Sequence, residues 1–254
     1  MKGRRVLVTS PDAGPLEALL AERGAVAIHV PTIDVRPVPG RALDRALDRA
    51  EEYGWIVVTS ANGVAALVGR LEARGAPPPP TVRWAAVGPK TAAALEARGV
   101  AVEHVPDAGL GAAIPDGMGP LEGARVLLAR AAGAGADLPR ILRARGARVD
   151  DVTAYETSEG PERWRAPLAS ALDAGLDAAI FTSGSTVRGF VRLAGSAGAL
   201  GEARVVCMGP TTTAAALRAG FEDVTMAREP TPVGLVAALE TAFAGADRTS
   251  EDLP

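Results

Sequence analysis

The chain has 254 residues, of which 48% are hydrophobic, and a formal net charge of −3 at pH 7. This apolar content is enough for one large core or two smaller ones, and the slightly acidic balance argues against a nucleic-acid-binding surface, which needs a basic face. The single cysteine, Cys207, and the two histidines, His29 and His104, exclude a disulfide framework and the ligand spacing of a metal site. Cys207 lies in an apolar run and is interpreted as a core residue rather than a nucleophile.

Short apolar runs typical of buried strands alternate with amphipathic stretches typical of helices. The N-terminal part predicts a strand, a helix and a second strand, followed by an extended connector between prolines, 31–38, and a helix at 41–52. Strands are then predicted at 55–59, 83–87, 100–104, 125–129 and 148–153. After a second connector, 152–158, three further strands are predicted at 177–181, 204–208 and 223–226.

The last three strands are too few for a complete lobe, but with the two N-terminal strands they equal the five of the middle block. The sequence therefore predicts an α/β fold of two flavodoxin-like, doubly wound parallel-sheet lobes, the second inserted in the first, joined by two connectors. Two crossings of the chain permit hinge motion. The predicted extents are 1–33 with 158–246 for lobe 1, 38–151 for lobe 2, about 31–38 and 152–158 for the connectors, and 247–254 for a flexible tail.

Two motifs occur twice, in the same order, which supports two related lobes. Val-Val-Thr-Ser-Ala-Asn-Gly-Val at 57–64 recurs as Ile-Phe-Thr-Ser-Gly-Ser-Thr-Val at 180–187, and a Gly-Pro turn at 88–89 recurs at 209–210. Each motif is a strand-to-helix turn, where the first N–H groups of the helix have no partner within the helix and favour anions. We expect turns of both lobes to face one polyanionic ligand.

Each turn also has a purely structural interpretation. A Ser or Thr before a helix is a common N-cap, but three Thr-Ser pairs and both Gly-Pro turns fall at the carboxyl ends of predicted strands, where open parallel sheets bind ligands. Two glycine-rich stretches are less informative. The run at 131–135 departs from dinucleotide-binding spacing and is interpreted as an anion-binding turn, and 109–119 is interpreted as a surface loop or a lid.

Only three apolar residues separate the basic N-terminus from Thr9. That is too short for the apolar core of a signal peptide, and no segment reaches the length of a membrane span. The sequence therefore predicts a cytoplasmic protein.

The motifs resemble those of uroporphyrinogen-III synthases over nearly the whole chain. The resemblance lies in Thr-Ser-x-Asn-Gly-Val at 59–64, Val-Gly-Pro-Lys-Thr at 87–91, Leu-x-x-x-Gly-Ala-x-Val at 142–149, Tyr-Glu-Thr at 155–157, Phe-Thr-Ser at 181–183 and Met-Gly-Pro-Thr-Thr at 208–212. It implies two flavodoxin-like lobes joined by a two-stranded connector. It also implies a lyase that closes hydroxymethylbilane, a linear tetrapyrrole, to uroporphyrinogen III with loss of water and inversion of ring D, in haem and cobalamin biosynthesis. It implies no cofactor and no metal.

The resemblance and the strand-end positions together define the predicted site. Tyr155 is the catalytic candidate, which donates or positions a proton for the departing hydroxyl; the alternative is that its ring packs and its hydroxyl bonds locally. The predicted substrate-binding residues are Thr9, Ser10, Ser60, Asn62, Gly63, Gly88, Lys90, Thr91, Arg130, Ser183, Gly184, Ser185, Gly209, Thr211 and Thr212. Relatives carry a Gly-Gly-Arg-like sequence after the strand at 125–129, which 133–137 lacks, and Arg130 and Arg140 are candidate substitutes.

The expected partner is the linear tetrapyrrole alone, without nucleic acid or membrane. We expect a monomer with transient contact to the preceding pathway enzyme. The alternative function is a cytoplasmic two-lobed binding protein for a polycarboxylate, which would use the same turns without turnover. An exported solute-binding protein would be expected to carry a signal, and a receiver domain would need a paired acidic cluster after its first strand.

Overall fold

A computed structural model of the chain describes residues 1–38, 41–107 and 111–249, with side chains as far as 244. The strands are β1 (Arg5–Val8), β2 (Val26–His29), β3 (Ile33–Pro37), β4 (Trp55–Val58), β5 (Arg83–Ala86), β6 (Arg125–Ala131), β7 (Arg148–Glu159), β8 (Ala178–Phe181), β9 (Arg204–Cys207) and β10 (Val224–Met226). The α-helices are α1 (Gly14–Glu22), α2 (Arg41–Leu47), α3 (Ala61–Ala73), α4 (Pro89–Glu96), α5 (Asp137–Ala144), α6 (Arg165–Asp173), α7 (Gly184–Ala194), α8 (Pro210–Arg218) and α9 (Pro232–Thr249).

The chain forms two compact units. Unit 1 comprises Met1–Asp34 and the described part of Thr157–Pro254, and unit 2 is Val35–Glu156. The second unit is therefore inserted in the sequence of the first, and the chain passes between them at β3 and β7.

Unit 1 is built on a five-stranded sheet in the order β10-β9-β8-β1-β2. Its pairings are parallel, and the direction of winding reverses between β1 and β8, as in a flavodoxin-like sheet. Successive strand residues point to opposite faces, so Val6 packs with α1 and α9 on one face while Leu7 and Phe181 pack with α6, α7 and α8 on the other. Cover on both faces explains why the strands are continuous apolar runs.

Unit 2 has the same layering on a sheet in the order β3-β7-β6-β4-β5. The pairings of β4 with β5 and β6, and of β6 with β7, are parallel. Ile56 and Leu127 pack with α3 and α4, whereas Trp55 and Leu128 pack with α5 on the opposite face. The winding reverses between β4 and β6, which makes the carboxyl ends of these two strands the expected ligand position.

The fifth strand of unit 2 is not the predicted one. The prediction placed it at 100–104, where the structure has only one bridge, between Ala85 and His104. The N–H groups of Glu103 and His104 both point to the carbonyl of Trp84, which departs from the evenly spaced bonds of a parallel ladder. The place beside β7 is taken by β3, which the sequence suggested as a connector, and β7 itself continues through the second connector.

Other predicted boundaries also shift. The helix predicted at 41–52 is interrupted, because α2 ends at Leu47 and a 3₁₀ turn follows at Ala50–Glu52. A 3₁₀ helix at Gly111–Gly117 buries Ile114, and the adjoining Met118 is buried beside it. The segment 111–118 is therefore anchored in the core of unit 2, and the lid interpretation stays a prediction; residues 109 and 110 lie outside the described residues. Helix α9 includes 247–249, where the flexible tail was predicted to begin, and 250–254 lie outside the described residues.

None of the helices in the described ranges has the length and apolar character needed to cross a membrane.

Candidate functional site

The head of α3 is the best-defined turn of unit 2. Ser60 is its N-cap, in extended conformation, and its Oγ accepts a hydrogen bond of 2.9 Å from the N–H of Gly63. A Cβ at position 63 would lie 3.0 Å from Val58 and 3.2 Å from the carbonyl of Ala129. Glycine therefore lets the first turn of α3 approach β4 and β6 closely, at the winding reversal. Asn62, in the same turn, is exposed.

Tyr155 lies beside this turn. Its hydroxyl is 2.7 Å from Ser60 Oγ, and its side chain is almost fully buried. A register shift between β6 and β7 explains its direction, because Arg130 pairs with Thr153 whereas Ala131 pairs with Tyr155, so Ala154 is an extra residue. Ala154 and Tyr155 consequently face the same core cluster, which the alternation of a regular strand would forbid.

The hydroxyl groups of Ser60 and Tyr155 together leave one O–H hydrogen that can be donated to a third group. Ser60 Oγ accepts from Gly63 in either arrangement, and only one hydroxyl hydrogen lies between Ser60 and Tyr155, since either atom can be the donor. The other hydroxyl hydrogen is then available for a ligand. The structure shows that Tyr155 packs in the core and bonds locally to Ser60, and the catalytic interpretation of Tyr155 stays a prediction.

The second turn of unit 2 follows β5. Gly88 is the N-cap of α4 and Pro89 is its first residue. Pro89 has no N–H and fits the first helical position, and a glycine N-cap brings no side-chain acceptor to this turn. Lys90 is exposed, whereas Thr91 is buried. Because β4 and β5 are neighbours, this turn and the head of α3 lie at the same edge of the sheet.

The matching turns of unit 1 follow β8 and β9. Ser183 is the N-cap of α7 and forms a capping box with Thr186, and its Oγ is also 2.9 Å from Ser185 Oγ. At the other turn Gly209 caps α8, Thr211 is exposed and Thr212 is buried. Gly184, the first residue of α7, is partly exposed.

Two predicted binding hydroxyls are turned inward. Thr9 is fully buried and its Oγ1 donates to the carbonyl of Ile180 at 2.7 Å, while Ser10 Oγ donates to the carbonyl of Asp12 at 2.8 Å. These side chains hold the turn after β1 in shape. Any contact of this turn with a ligand therefore depends on its main chain.

The Arg130 guanidinium is engaged within unit 2. It is 7% exposed and bonds both carboxylate oxygens of Asp151, and its Nη1 donates to the carbonyl of Gly135 at 2.6 Å. A direct substrate contact by Arg130 would compete with these bonds. Arg140, the other candidate substitute for the missing arginine, is exposed and pairs with Asp137 on its own helix.

Sequence reasoning missed Thr32. It is fully buried at the start of the first connector, and its Oγ1 donates to the carbonyl of Thr186 in the first turn of α7, at 2.7 Å. Its own carbonyl accepts from the N–H of Gly160 at 2.9 Å. A threonine in an extended segment carries no sequence signal for such a role, since its partner lies 154 residues away.

The chemistry available in the described residues is that of hydroxyls, amides and cations. No group of three His, Cys, Asp or Glu side chains there could hold a metal ion. Burial raises the pKa of the Cys207 thiol to about 12, which keeps it protonated at neutral pH and supports its assignment to the core.

Comparisons with known proteins identify relatives of this chain. A family model described as uroporphyrinogen-III synthase HemD matches residues 14–237. The porphyrin biosynthesis protein HemD of Ruminiclostridium josui is 33% identical over 74% of this chain, which spans 39% of that protein's length. The uroporphyrinogen-III synthase of Synechococcus elongatus is 30% identical, with 76% of each chain covered.

Solved structures show the same fold. A mutant uroporphyrinogen III synthase from Thermus thermophilus matches with a TM-score of 0.64 and 21% identity, over 96% of this chain and 100% of that one. The uroporphyrinogen-III synthetase of Helicobacter pylori matches with a TM-score of 0.61 and 20% identity, over 96% of this chain and 99% of that one. On the family model and the sequence relatives, the chain belongs to the uroporphyrinogen-III synthase family.

Proposed function

We propose that this chain cyclises hydroxymethylbilane to uroporphyrinogen III, with loss of water and inversion of ring D, as a lyase of tetrapyrrole biosynthesis. Membership of the family supports the reaction. The observation that carries the assignment of the site is the hydroxyl pair of Ser60 and Tyr155, 2.7 Å apart at the head of α3.

The substrate is a polycarboxylate, and the strand-end turns suit such a ligand. Helices α3, α4, α7 and α8 begin after the carboxyl ends of strands, and the first N–H groups of a helix have no acceptor within it. The N–H groups of Gly63 and Thr186 are bonded to their N-cap serines, so the amides proposed for the substrate are the other first-turn amides. Hydrogen bonds from such groups to carboxylates are each worth about 1.5–3 kcal/mol. We propose that these amides bind the substrate carboxylates in each unit, assisted by Lys90 in unit 2.

Individual side chains then have limited direct roles. The hydroxyls of Ser60 and Ser183 cap helices, so they place the neighbouring amides. Asn62, Thr211 and Ser185 are at least partly exposed beside those amides and are proposed to contact substrate. Thr9, Ser10, Thr91 and Thr212 are buried and are proposed to act through the shape of their turns.

The reaction needs little acid–base assistance. The bond between the terminal methylene carbon and its hydroxyl oxygen breaks, and the oxygen leaves as water after taking one proton. The pyrrole nitrogen supplies the electron pair and loses its proton, which leaves an azafulvene. The substituted carbon of ring D attacks the azafulvene methylene and becomes a spiro carbon. Its original bond to the methylene from ring C then breaks, and that methylene bonds to the unsubstituted carbon of ring D, whose lost proton restores the pyrrole N–H, so that water is the one molecule released. We propose that the Ser60–Tyr155 pair donates the proton, or holds a water that does, for a gain of about 10²-fold or less.

The larger contribution is proposed to be positioning. Spontaneous closure of the bilane joins the unsubstituted end of ring D and gives isomer I, so the enzyme must present the other carbon. Holding reacting groups in contact can supply about 7–11 kcal/mol. Carboxylates fixed by main-chain amides of rigid helices are suited to that task.

The cellular setting is part of the same proposal. We propose a cytoplasmic monomer that receives the bilane through brief contact with the enzyme that makes it.

The lobes are proposed to be 1–33 with 158–246 and 38–151, joined through about 31–38 and 152–158.

Incubation of the purified protein with freshly made hydroxymethylbilane, followed by oxidation and separation of the porphyrin isomers, tests the activity. We expect isomer III well above the level in buffer or with heat-denatured protein. Isomer I alone, at the rate in buffer, would contradict the proposal. If the intact bilane were bound tightly under those conditions, the alternative of a polycarboxylate-binding protein would stand.

A further inference from the structure

Three observations about Arg130 belong together. Its side chain is buried near the carboxyl edge of unit 2, it carries a charge, and it is the residue at which the register of β6 and β7 shifts. A buried charge is retained in a protein when it is paired and hydrogen-bonded. Arg130 meets that condition with Asp151 on β7 and with the carbonyl of Gly135 in the loop after β6.

The bonds of Arg130 lie on both sides of the register shift. Nε donates to Asp151 Oδ1 at 2.9 Å and Nη2 donates to Oδ2, which ties β6 to β7 just before the extra residue Ala154. Nη1 reaches over the shift to Gly135. A rigid planar guanidinium that makes a bidentate pair and a third bond fixes the relative placement of its three partners.

The loop held by Arg130 is also bonded to Tyr155. The N–H of Ala132 donates to the carbonyl of Tyr155 at 2.8 Å. The main chain of Tyr155 is therefore held by the start of a loop whose end, at Gly135, is held by Arg130. The side chain of Tyr155 is then directed to Ser60 by the same register shift.

The geometry assigns Arg130 as a positioning residue for the Tyr155 hydroxyl, acting through the shifted register and the loop at 131–136 rather than by contact with substrate. This inference rests on the proposed function of Tyr155. The loop after β6 lacks the arginine that relatives carry there. In this chain the guanidinium of Arg130 bonds the loop at Gly135 instead of facing substrate.

The same strand offers a matched control. Arg125, at the other end of β6, pairs with Glu52 and with Asp150 on β7, and its guanidinium lies 5.4 Å from the centre of the Tyr53 ring. Tyr53 and Tyr155 are the two tyrosines of the chain. Labelling with 3-fluorotyrosine therefore gives two fluorine NMR signals, which the variant Tyr53→Phe assigns.

Lysine keeps the charge of Arg130 but lacks the planar fork that bonds both oxygens of Asp151 while a third N–H bonds Gly135. We expect Arg130→Lys to shift the Tyr155 signal and to lower kcat by about tenfold, with KM within about twofold, because small displacements of a reacting group are costly. Arg125→Lys should shift the Tyr53 signal and leave kcat unchanged. Asp151→Asn, which removes the charge partner, should reproduce the Arg130→Lys pattern and serves if that variant does not fold.

An unmoved Tyr155 signal in both Arg130→Lys and Asp151→Asn would overturn the inference. A raised KM with unchanged kcat and an unmoved signal would also overturn it, since it would place the guanidinium on the substrate. A wild-type protein that produced only isomer I would instead overturn the proposed function, and the fluorine signals would still decide whether Arg130 positions Tyr155.

Discussion

The heads of α3 and α7 have related sequences and the same position after a buried strand, yet they are held in different ways. In unit 1, Ser183 forms a capping box with Thr186, and the turn is supported from Thr32 through the carbonyl of Thr186. In unit 2, Ser60 caps the helix without a capping box, and its Oγ is shared with the hydroxyl of Tyr155. The turn at the head of α7 bonds only main-chain and hydroxyl groups of unit 1, whereas the turn at the head of α3 is hydrogen-bonded to the phenol of Tyr155.

This difference suggests that the two copies of the motif have different roles. In the capping box of α7 the two side chains bond each other's main chain, so the groups left for a ligand are main-chain amides, which bind carboxylates. A cap joined to a phenol places a proton donor next to such amides. We therefore expect changes in unit 1 to act on binding and stability, and changes around Ser60 to act on turnover.

The largest effect is expected on stability, from the glycines of the two helices. A Cβ on Gly189 of α7 would lie 2.0 Å from the carbonyl oxygen of Thr32, whereas one on Gly69 of α3 would be 3.7 Å from Arg98. Gly189→Ala should lower the free energy of unfolding by about 3 kcal/mol or more. Gly69→Ala should raise it by about 0.5–1 kcal/mol, because alanine favours helix. Urea unfolding measures both, and equal effects would show that α7 is not held against Thr32.

The next effect is expected from Tyr155→Phe, which keeps the ring and removes the hydroxyl. Turnover should fall by about 10- to 100-fold, and the free energy of unfolding by about 1 kcal/mol, because the bond to Ser60 is lost. Tyr53→Phe is the control. Its hydroxyl donates to Asp150 at 2.6 Å at the amino end of the same sheet, so it should cost a similar free energy of unfolding and leave turnover unchanged. Unaltered turnover and isomer III yield in Tyr155→Phe would remove Tyr155 from the mechanism.

The paired variants Ser60→Ala and Ser183→Ala test the comparison directly. Each removes an N-cap and should lower the free energy of unfolding by about 1 kcal/mol. Ser60→Ala should also lower kcat by about tenfold, because the Tyr155 hydroxyl loses its partner. Ser183→Ala should raise KM by about threefold, the equivalent of a weak hydrogen bond. Steady-state kinetics that gave both variants the same kcat would argue against unequal roles.

The smallest effect is expected at the turns after β5 and β9, where Ala86 of unit 2 corresponds to Cys207 of unit 1. Cys207→Ala, which makes the two turns alike, should lower the free energy of unfolding by about 1 kcal/mol and leave turnover unchanged. With a pKa of about 12, only about one thiol in ten thousand is ionised at pH 8. The native protein should therefore resist alkylation at that pH, and rapid labelling of Cys207 would contradict its burial.

Much of the fold follows from local pattern. The apolar runs of β4 and β8 and the turns after them are legible in the sequence, because a strand covered on both faces is continuously apolar and a helix start needs a cap. The segment 100–104 also begins with an apolar run, Val-Ala-Val, but its main chain directs two N–H groups to one carbonyl. Composition does not report which edge of a sheet a segment reaches, and for that reason the prediction there was wrong.

Two repeated α/β units, their strand-end turns and the family can be inferred from the sequence without the structure. The sequence also singled out Tyr155 and Ser60, but as separate residues, since they are 95 positions apart. Three features become visible in the folded chain: an extra residue in β7 turns Tyr155 toward Ser60, Arg130 is bonded to Asp151, and β3 completes the second sheet. Each of these depends on register and on contacts distant in sequence, which local propensities do not encode.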